Sequence, residues 1–333
     1  MTVTLTFAEC RVCGESNHNQ IYTAREMMFG FRDKFDYFEC AGCGCLQIKE
    51  IPADLSKYYP ENYYSYSEKV GPESASSTSA SSQNYRMLKY ILADEALFEM
   101  FLSRIFGTPP KKLKRLKLNP DSDILDVGCG IGNMLLYLRQ AGFSSLTGVD
   151  PFIQEDIFYN NGVRIFKKEL SQLDAQFDFI ILNFSLEHMP EPVPTFKNLG
   201  RILKPDGAIF IKIPVFPSFV WRHYGTNWVQ LDAPRHLFLH SIASVQCLVD
   251  QANLKICDIE FDSSAFQLWG SEQYARDIPL FDERSYMKNP EGSVFSKEEI
   301  LGFKKRAKEL NERKDGDQAC FLLTGLHARH LDR

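Results

Sequence analysis

The sequence predicts an α/β protein, a mainly parallel sheet with helices on both faces, preceded by a small module built around cysteines. Three observations predict it. Four of the nine cysteines form two matched pairs near the N-terminus, strand-like apolar runs alternate with helical stretches from residue 123 onward, and 333 residues exceed one ordinary domain. Hydrophobic residues at 44% and charged residues at 24% are enough to bury a core. With 38 basic against 43 acidic groups, the chain lacks the positive excess of a nucleic-acid binder, so no nucleic-acid partner is expected. Lys111, Lys112, Lys114, Arg115 and Lys117 read as a solvated helix face. No apolar run approaches the ~20 residues of a spanning helix, so no membrane insertion is expected. The start "MTVTLTFAEC" has no signal-peptide pattern, and a cytoplasmic location follows as an expectation.

The elements follow in order. "CRVCG" and "CAGCG" place Cys10, Cys13, Cys40 and Cys43 in two tight turns, each with a glycine after its second cysteine. Four thiolates so presented suit a closed, structural zinc site. Cys45 is a competing ligand to Cys43, and the paired spacing favours Cys43. The tyrosine-rich "KYYPENYYSY" that ends this module, residues 1–69, either lines a pocket or docks the module on its neighbour. Residues 70–84, rich in Ser and Ala, read as a linker or mobile lid. "YRMLKYILADEALFEMFLSRIF" then spaces its apolar residues as an amphipathic helix does. Strands are expected near 123–127, 146–149, 163–166, 177–183, 207–213 and 255–261, with a helix around 241–252 and a last strand in "DQACFLLTGL". Residues 85–333 thus form one domain, interrupted by an insertion around 266–315. A cap over a site and a homodimer contact both fit that insertion.

The stretch "ILDVGCGIGN" carries the chemistry. After an apolar strand, Gly128, Gly130 and Gly132 allow a tight turn and close approach of a ligand to the backbone. A dinucleotide-binding turn reads GxGxxG and faces a pyrophosphate. Here the third glycine comes one residue early, and Asp126 would repel a pyrophosphate but suit an ammonium group.

On these residues the chain resembles the class I S-adenosylmethionine-dependent methyltransferases, whose first motif is this acid-x-G-x-G-x-G turn. The likeness runs over about residues 85–265 and the final strand. It implies a Rossmann-like sheet with its last strand antiparallel, and S-adenosylmethionine as cofactor. By the resemblance, Asp150 in "LTGVD" grips the ribose hydroxyls, Glu169 and Leu170 in "KKELSQL" contact the adenine, and Asn183 in "FDFIILNFSLEHMPEP" lies near the methionine portion. Asp126, Gly128, Gly130 and Gly132 would cradle the methionyl end. An NAD-dependent oxidoreductase is the enzymatic rival, disfavoured by the early glycine, and a non-catalytic assembly protein on the same fold is the rival of another class.

Methyl transfer needs an aligned acceptor and, for some acceptors, a base. His188, in "LEHMPEP" past the fourth strand of the domain, and His236, in "LDAPRHLFLHS", are the candidate catalytic residues, with His236 favoured. His240 reads instead as part of a helix start at Ser241. Arg222 and Arg235 are candidates to meet a diphosphate or to form surface salt bridges. Zinc knuckles, the tyrosine-rich stretch and a methyltransferase domain in that order resemble bacterial deoxysugar and surface-polysaccharide methyltransferases, some of which methylate carbon on nucleotide-linked keto sugars. The related form of "PRHLFLHS" in those enzymes carries a catalytic histidine, which implies a nucleotide sugar or glycan precursor as acceptor and leaves carbon, oxygen or nitrogen open as the methylated atom.

Overall fold

A computed structural model of the chain describes residues 4–6, 8–60 and 82–328. Near the N-terminus, β1 (Thr4–Thr6), β2 (Asn19–Arg25), β3 (Lys34–Glu39) and β4 (Leu46–Ile48) form an antiparallel sheet. Each cysteine pair lies in a tight turn closed by a bond to its first carbonyl, Gly14 N–H to Cys10 at 2.9 Å and Gly44 N–H to Cys40 at 2.9 Å. Both glycines take positive φ, at 78° and 69°, which explains glycine after each second cysteine.

The expected single amphipathic helix is two, α1 (Ser82–Ala93) and α2 (Glu95–Phe106). Asp94 is the cause. Its backbone is extended, and its side chain accepts the Leu97 N–H at 2.9 Å, so it caps a new helix instead of continuing the old one. The helix begins at Ser82, within the stretch read as linker, while residues 70–81, with Tyr63, Tyr64 and Tyr66, lie outside the described residues. The basic stretch forms a short turn at Lys111–Arg115, where Lys114 pairs with Glu95 and Glu99 on the surface.

The second sheet contains β5 (Ile124–Val127), β6 (Leu146–Val149), β7 (Ile157–Phe158), β8 (Arg164–Phe166), β9 (Phe177–Asn183) and β10 (Leu203–Pro214), interleaved with α3 (Asn133–Ala141) and α4 (Pro192–Ile202). α5 (Phe219–Tyr224), β11 (Phe238–Leu239), α6 (Ile242–Gln251), β12 (Leu254–Phe261), α7 (Phe266–Ala275), α8 (Lys297–Glu312) and β13 (Gln318–Gly325) complete the chain. The strand order is β12-β13-β10-β9-β5-β6-β8-β7. Pairings from β8 to β10 are parallel, and β13 inserts antiparallel between β10 and β12. Side chains alternate between faces, so Ile180 and Leu182 enter one core and Phe179 and Ile181 the other. Strands buried on both faces read as continuous apolar runs, which made β5 and β9 easy to locate.

One pairing ties the two sheets' territories together. β11 belongs to the first sheet, as the antiparallel neighbour of β4, so Phe238 faces Gln47 and Leu239 faces Leu46. The core is continuous across this junction, with Tyr37, Phe38 and Leu46 packed in the cluster that holds Leu125, Ile180 and Ile211. The insertion leans on the same junction: Leu280 N–H donates to Met27 O at 2.9 Å and Phe281 N–H to Met28 O at 3.0 Å.

Candidate functional site

The glycine turn lies at the carboxyl end of β5, beside β6 and β9, where open α/β sheets bind ligands. Gly128, Gly130 and Gly132 have φ of 72°, 54° and 83°, all left-handed. A Cβ on Gly128 would come to 2.5 Å of Ser185 Cβ, and one on Gly132 to 2.1 Å of Ile165 Cδ1. Glycine is required at both positions by conformation and by space. Asp150, at the end of β6, reaches back to the turn: Oδ2 accepts Gly130 N–H at 2.9 Å and Oδ1 accepts Phe152 N–H at 2.9 Å. It therefore shapes the turn, a role that its sequence position did not reveal.

Asp126 is buried, and burial together with the nearby Asp150 charge pushes its carboxyl up to about 7. A cationic group at this turn would relieve that repulsion. Glu169 is exposed and precedes a short helical turn at Leu170–Gln172, its N–H donating to Gln172 Oε1 at 2.8 Å; Leu170 is buried and Asn183 half-buried at the end of β9.

Three residues beyond Asn183, the chain turns through Leu186–His188. His188 and His236 meet there, with ring centroids 4.9 Å apart. His188 Nδ1 lies 2.8 Å from Arg235 O, and His236 Nδ1 lies 2.7 Å from Gln230 O. A carbonyl at that distance requires a donor, so each ring carries its proton on Nδ1 and a lone pair on Nε2. His236 Nε2 is 4.0 Å from Glu187 Oε1 and 3.8 Å from Asp232 Oδ2. Burial, reinforced by His236, lowers His188 to about 3, and burial also lowers His236 against the pull of Asp232. Glu187 has no exposed surface, and burial with the Asp232 charge pushes it up to about 8. No protein donor reaches either of its oxygens among the described residues.

The N-terminal module helps to build this edge. Arg235, 1% exposed, donates through Nε and an Nη to Asp232 at 3.0 and 2.6 Å, and the same Nη reaches Glu26 of the module at 3.1 Å. Its other Nη donates to Tyr58 O at 3.3 Å, Tyr37 Oη donates to His236 O at 2.8 Å, and Tyr59 Oη lies 3.3 Å from His188 Nδ1. Burial pushes the Asp232 carboxyl up, but the Arg235 guanidinium outweighs it and holds the group below its usual range. Arg235 is thus not available to a diphosphate. Arg222 pairs with Asp315 through one Nη at 2.6 and 2.7 Å, the surface salt bridge expected as its alternative, whereas the pairing of Arg235 is buried. Tyr58 Oη donates to Asp33 within the module at 2.7 Å while its carbonyl meets Arg235 across the junction, and Tyr59 reaches the histidine edge. His240 lies just before Ser241, which caps α6, as its reading required.

Glu187, Asp232 and Glu26 were not singled out in the sequence. The adjacency of Glu187 to His188 and the Asp232-x-x-Arg235-His236 spacing were the available signals.

The four-cysteine cluster has the dimensions of a zinc site. Cys10, Cys13, Cys40 and Cys43 place their sulfurs within 4.8 Å of one another, with Cys10–Cys43 at 3.6 Å and Cys13–Cys40 at 3.5 Å. A tetrahedron with Zn–S bonds of about 2.3 Å has edges of about 3.8 Å. Val12 N–H to Cys10 and Cys43 N–H to Cys40, both 3.4 Å, and Gln47 Nε2 to Cys10 at 3.1 Å favour thiolates. Cys45 points away, toward Leu239 O and His240. The four residues fit a structural zinc ion.

Residues 101–259 match the family model described as a methyltransferase domain. A ribosomal protein L11 methyltransferase of Thermosipho africanus is 29% identical over 131 residues, 35% of this chain and 49% of the relative. A ubiquinone biosynthesis O-methyltransferase of Haemophilus ducreyi is 31% identical over 103 residues, 26% of this chain and 43% of the relative. Among solved structures, a cyclopropane synthase of Mycobacterium tuberculosis aligns with a TM-score of 0.41 at 16% identity, covering 73% of this chain and 94% of that one. The chain spans about half the length of the first curated relatives it matches, 49%, 53% and 50%. The domain has the Rossmann-like, mostly parallel sheet of the class I methyltransferases, joined to a small N-terminal module with a cysteine cluster. Among the described residues no helix is long and apolar enough to cross a membrane.

Proposed function

We propose that the protein is an S-adenosylmethionine-dependent methyltransferase acting on a small hydroxylated acceptor, a nucleotide-linked sugar or related glycan precursor. The observation that carries the reading is the turn itself, three left-handed glycines tied by Asp150, with Asp126 beside them, buried and raised by burial and by the Asp150 charge. In this reading Asp126 faces the ammonium end of the cofactor and Asp150 the ribose hydroxyls. Glu169 and Leu170 border the adenine, and Asn183 and the glycines border the methionyl part.

Displacement at a sulfonium needs alignment and exclusion of water more than it needs acid–base chemistry. The loop from Asp232 to Ser241 supplies rigidity, since Arg235, Tyr37 and β4 all fix it from below. His236 and His188 are the proposed catalytic pair. Each has a proton-free Nε2, and His236 Nε2 is the lone pair to receive an acceptor proton. The four cysteines hold structural zinc, which would keep the module folded against that loop. The sugar assignment is supported by the resemblance of the knuckle, tyrosine-rich and "PRHLFLHS" segments to surface-polysaccharide enzymes.

The test is to incubate the protein with S-adenosylmethionine and a panel of nucleotide sugars and to follow acceptor mass. Gain of one methylene mass on a panel member supports the reading. Cofactor binding with no methylated product across sugar and non-sugar panels favours the non-catalytic alternative.

A further inference from the structure

We propose that Glu187, His188 and His236 form a second metal site, for a borderline divalent cation of the first transition row. The three residues bring one ligand atom each within 4.8 Å of one another, with Glu187 and His236 buried. Both histidines spend their Nδ1–H on a backbone carbonyl, Arg235 O at 2.8 Å and Gln230 O at 2.7 Å. This is the arrangement that orients imidazole ligands in metal proteins, because it fixes the neutral tautomer and aims Nε2 at the ion. Glu187 is wholly buried, and among the described residues no donor from another residue reaches Oε1 or Oε2. His236 Nε2, 4.0 Å from Glu187 Oε1, carries a lone pair, and Asp232 Oδ2 stands 3.8 Å from that nitrogen. Two imidazole nitrogens and a buried carboxyl so placed can exchange the carboxyl's proton for a cation held among them.

The geometry is close to what an ion requires. Metal bonds of about 2.0–2.2 Å set three ligand atoms on a common ion about 3.0–3.6 Å apart, so the 4.0 Å between Glu187 Oε1 and His236 Nε2 must close by roughly 0.5–1 Å as the shell forms. Two imidazoles with one carboxylate suit Mn, Fe, Co, Ni or Zn rather than Mg or Ca, which prefer all-oxygen shells. Three protein ligands leave positions open, unlike the four-sulfur cluster. Cation binding does not rest on the methyltransferase reading, but its consequence does. An ion on His236 Nε2 takes the lone pair assigned above to the acceptor proton, and an acceptor oxygen on the ion would be made more acidic by the ion instead.

The experiment is a cobalt(II) titration of zinc-replete, full-length protein, read by calorimetry and visible absorption, with zinc content measured before and after. The expected result is uptake of about one equivalent with ligand-field bands, no thiolate-to-cobalt charge transfer and no zinc release. Glu187→Gln, nearly isosteric, and His236→Gln should each weaken that uptake by at least roughly tenfold, with thermal unfolding checking that both fold. No uptake by the wild type, uptake only with zinc release and sulfur charge transfer, or uptake unchanged in both variants would each overturn the proposal. Failure here leaves His236 as the proposed base, and a protein that binds cobalt but methylates nothing leaves the metal site standing.

Discussion

Replacing Arg235 with methionine tests how the N-terminal module and the histidine edge depend on each other. The guanidinium is 1% exposed, and it spans Asp232 on its own loop and Glu26 on the module. Methionine keeps an unbranched apolar stem and removes the charge. Asp232 then loses both of its arginine bonds, at 3.0 and 2.6 Å, and stays buried beside the raised Glu187. Glu26 loses less, because Phe29 and Phe31 N–H still donate to it at 2.9 Å each. Breaking a buried pair by removing one partner costs about 3–5 kcal/mol, and most of it should be assigned to Asp232. Urea unfolding of Arg235→Met should show a loss of that size. Adding Asp232→Asn should recover a large part of it, since asparagine tolerates the left-handed backbone at this position, φ 39°. A single variant within about 1 kcal/mol of wild type, or a double variant no better than the single, would refute the reasoning.

Three further outcomes follow from the same geometry. Cys43→Ser should abolish stoichiometric zinc by metal analysis, while Cys45→Ser should retain it, because only Cys43 points into the sulfur cluster. Gly132→Ala should cost about 2–5 kcal/mol in urea unfolding, from the left-handed φ of 83° and a Cβ contact of 2.1 Å with Ile165; a neutral effect would mean that the turn is not as described. Glu187 ionises near its ordinary value when unfolded and at about 8 when folded, so between those values the folded state holds the extra proton and the wild type loses stability as pH rises. Glu187→Gln removes that loss. With no divalent metal added, its stability relative to wild type should therefore rise from pH ~4.5 to pH ~8, by up to about 1.4 kcal/mol per unit, and a flat difference would count against the buried carboxyl.

Much of the large sheet was legible because its strands are buried on both faces and its turns are marked by glycine. The stretches expected near 146–149 and 177–183 coincide with β6 and β9. Asp94 was harder to read, since the apolar spacing runs through it unbroken and only its cap bond to Leu97 splits the helix. β11 was not legible at all. A two-residue strand has no period, and its partner β4 lies about 190 residues earlier in the chain. A separation of 209 residues likewise hid the Arg235–Glu26 pair, so an arginine that looked free for a phosphate is a structural tie. The histidines were found by residue type, but Glu187 was passed over, because only burial distinguishes it from a loop carboxylate.

Calorimetric titration of S-adenosylhomocysteine into the wild type and into Asp150→Ala, followed by a crystal structure of the wild-type complex, tests the central claim most directly. The account expects saturable one-to-one binding, a loss of roughly a hundredfold or more in the variant from two charge-assisted bonds, and the nucleoside lying over Gly128–Gly132. Equal affinity in both proteins, or a ligand bound away from that turn, would contradict it.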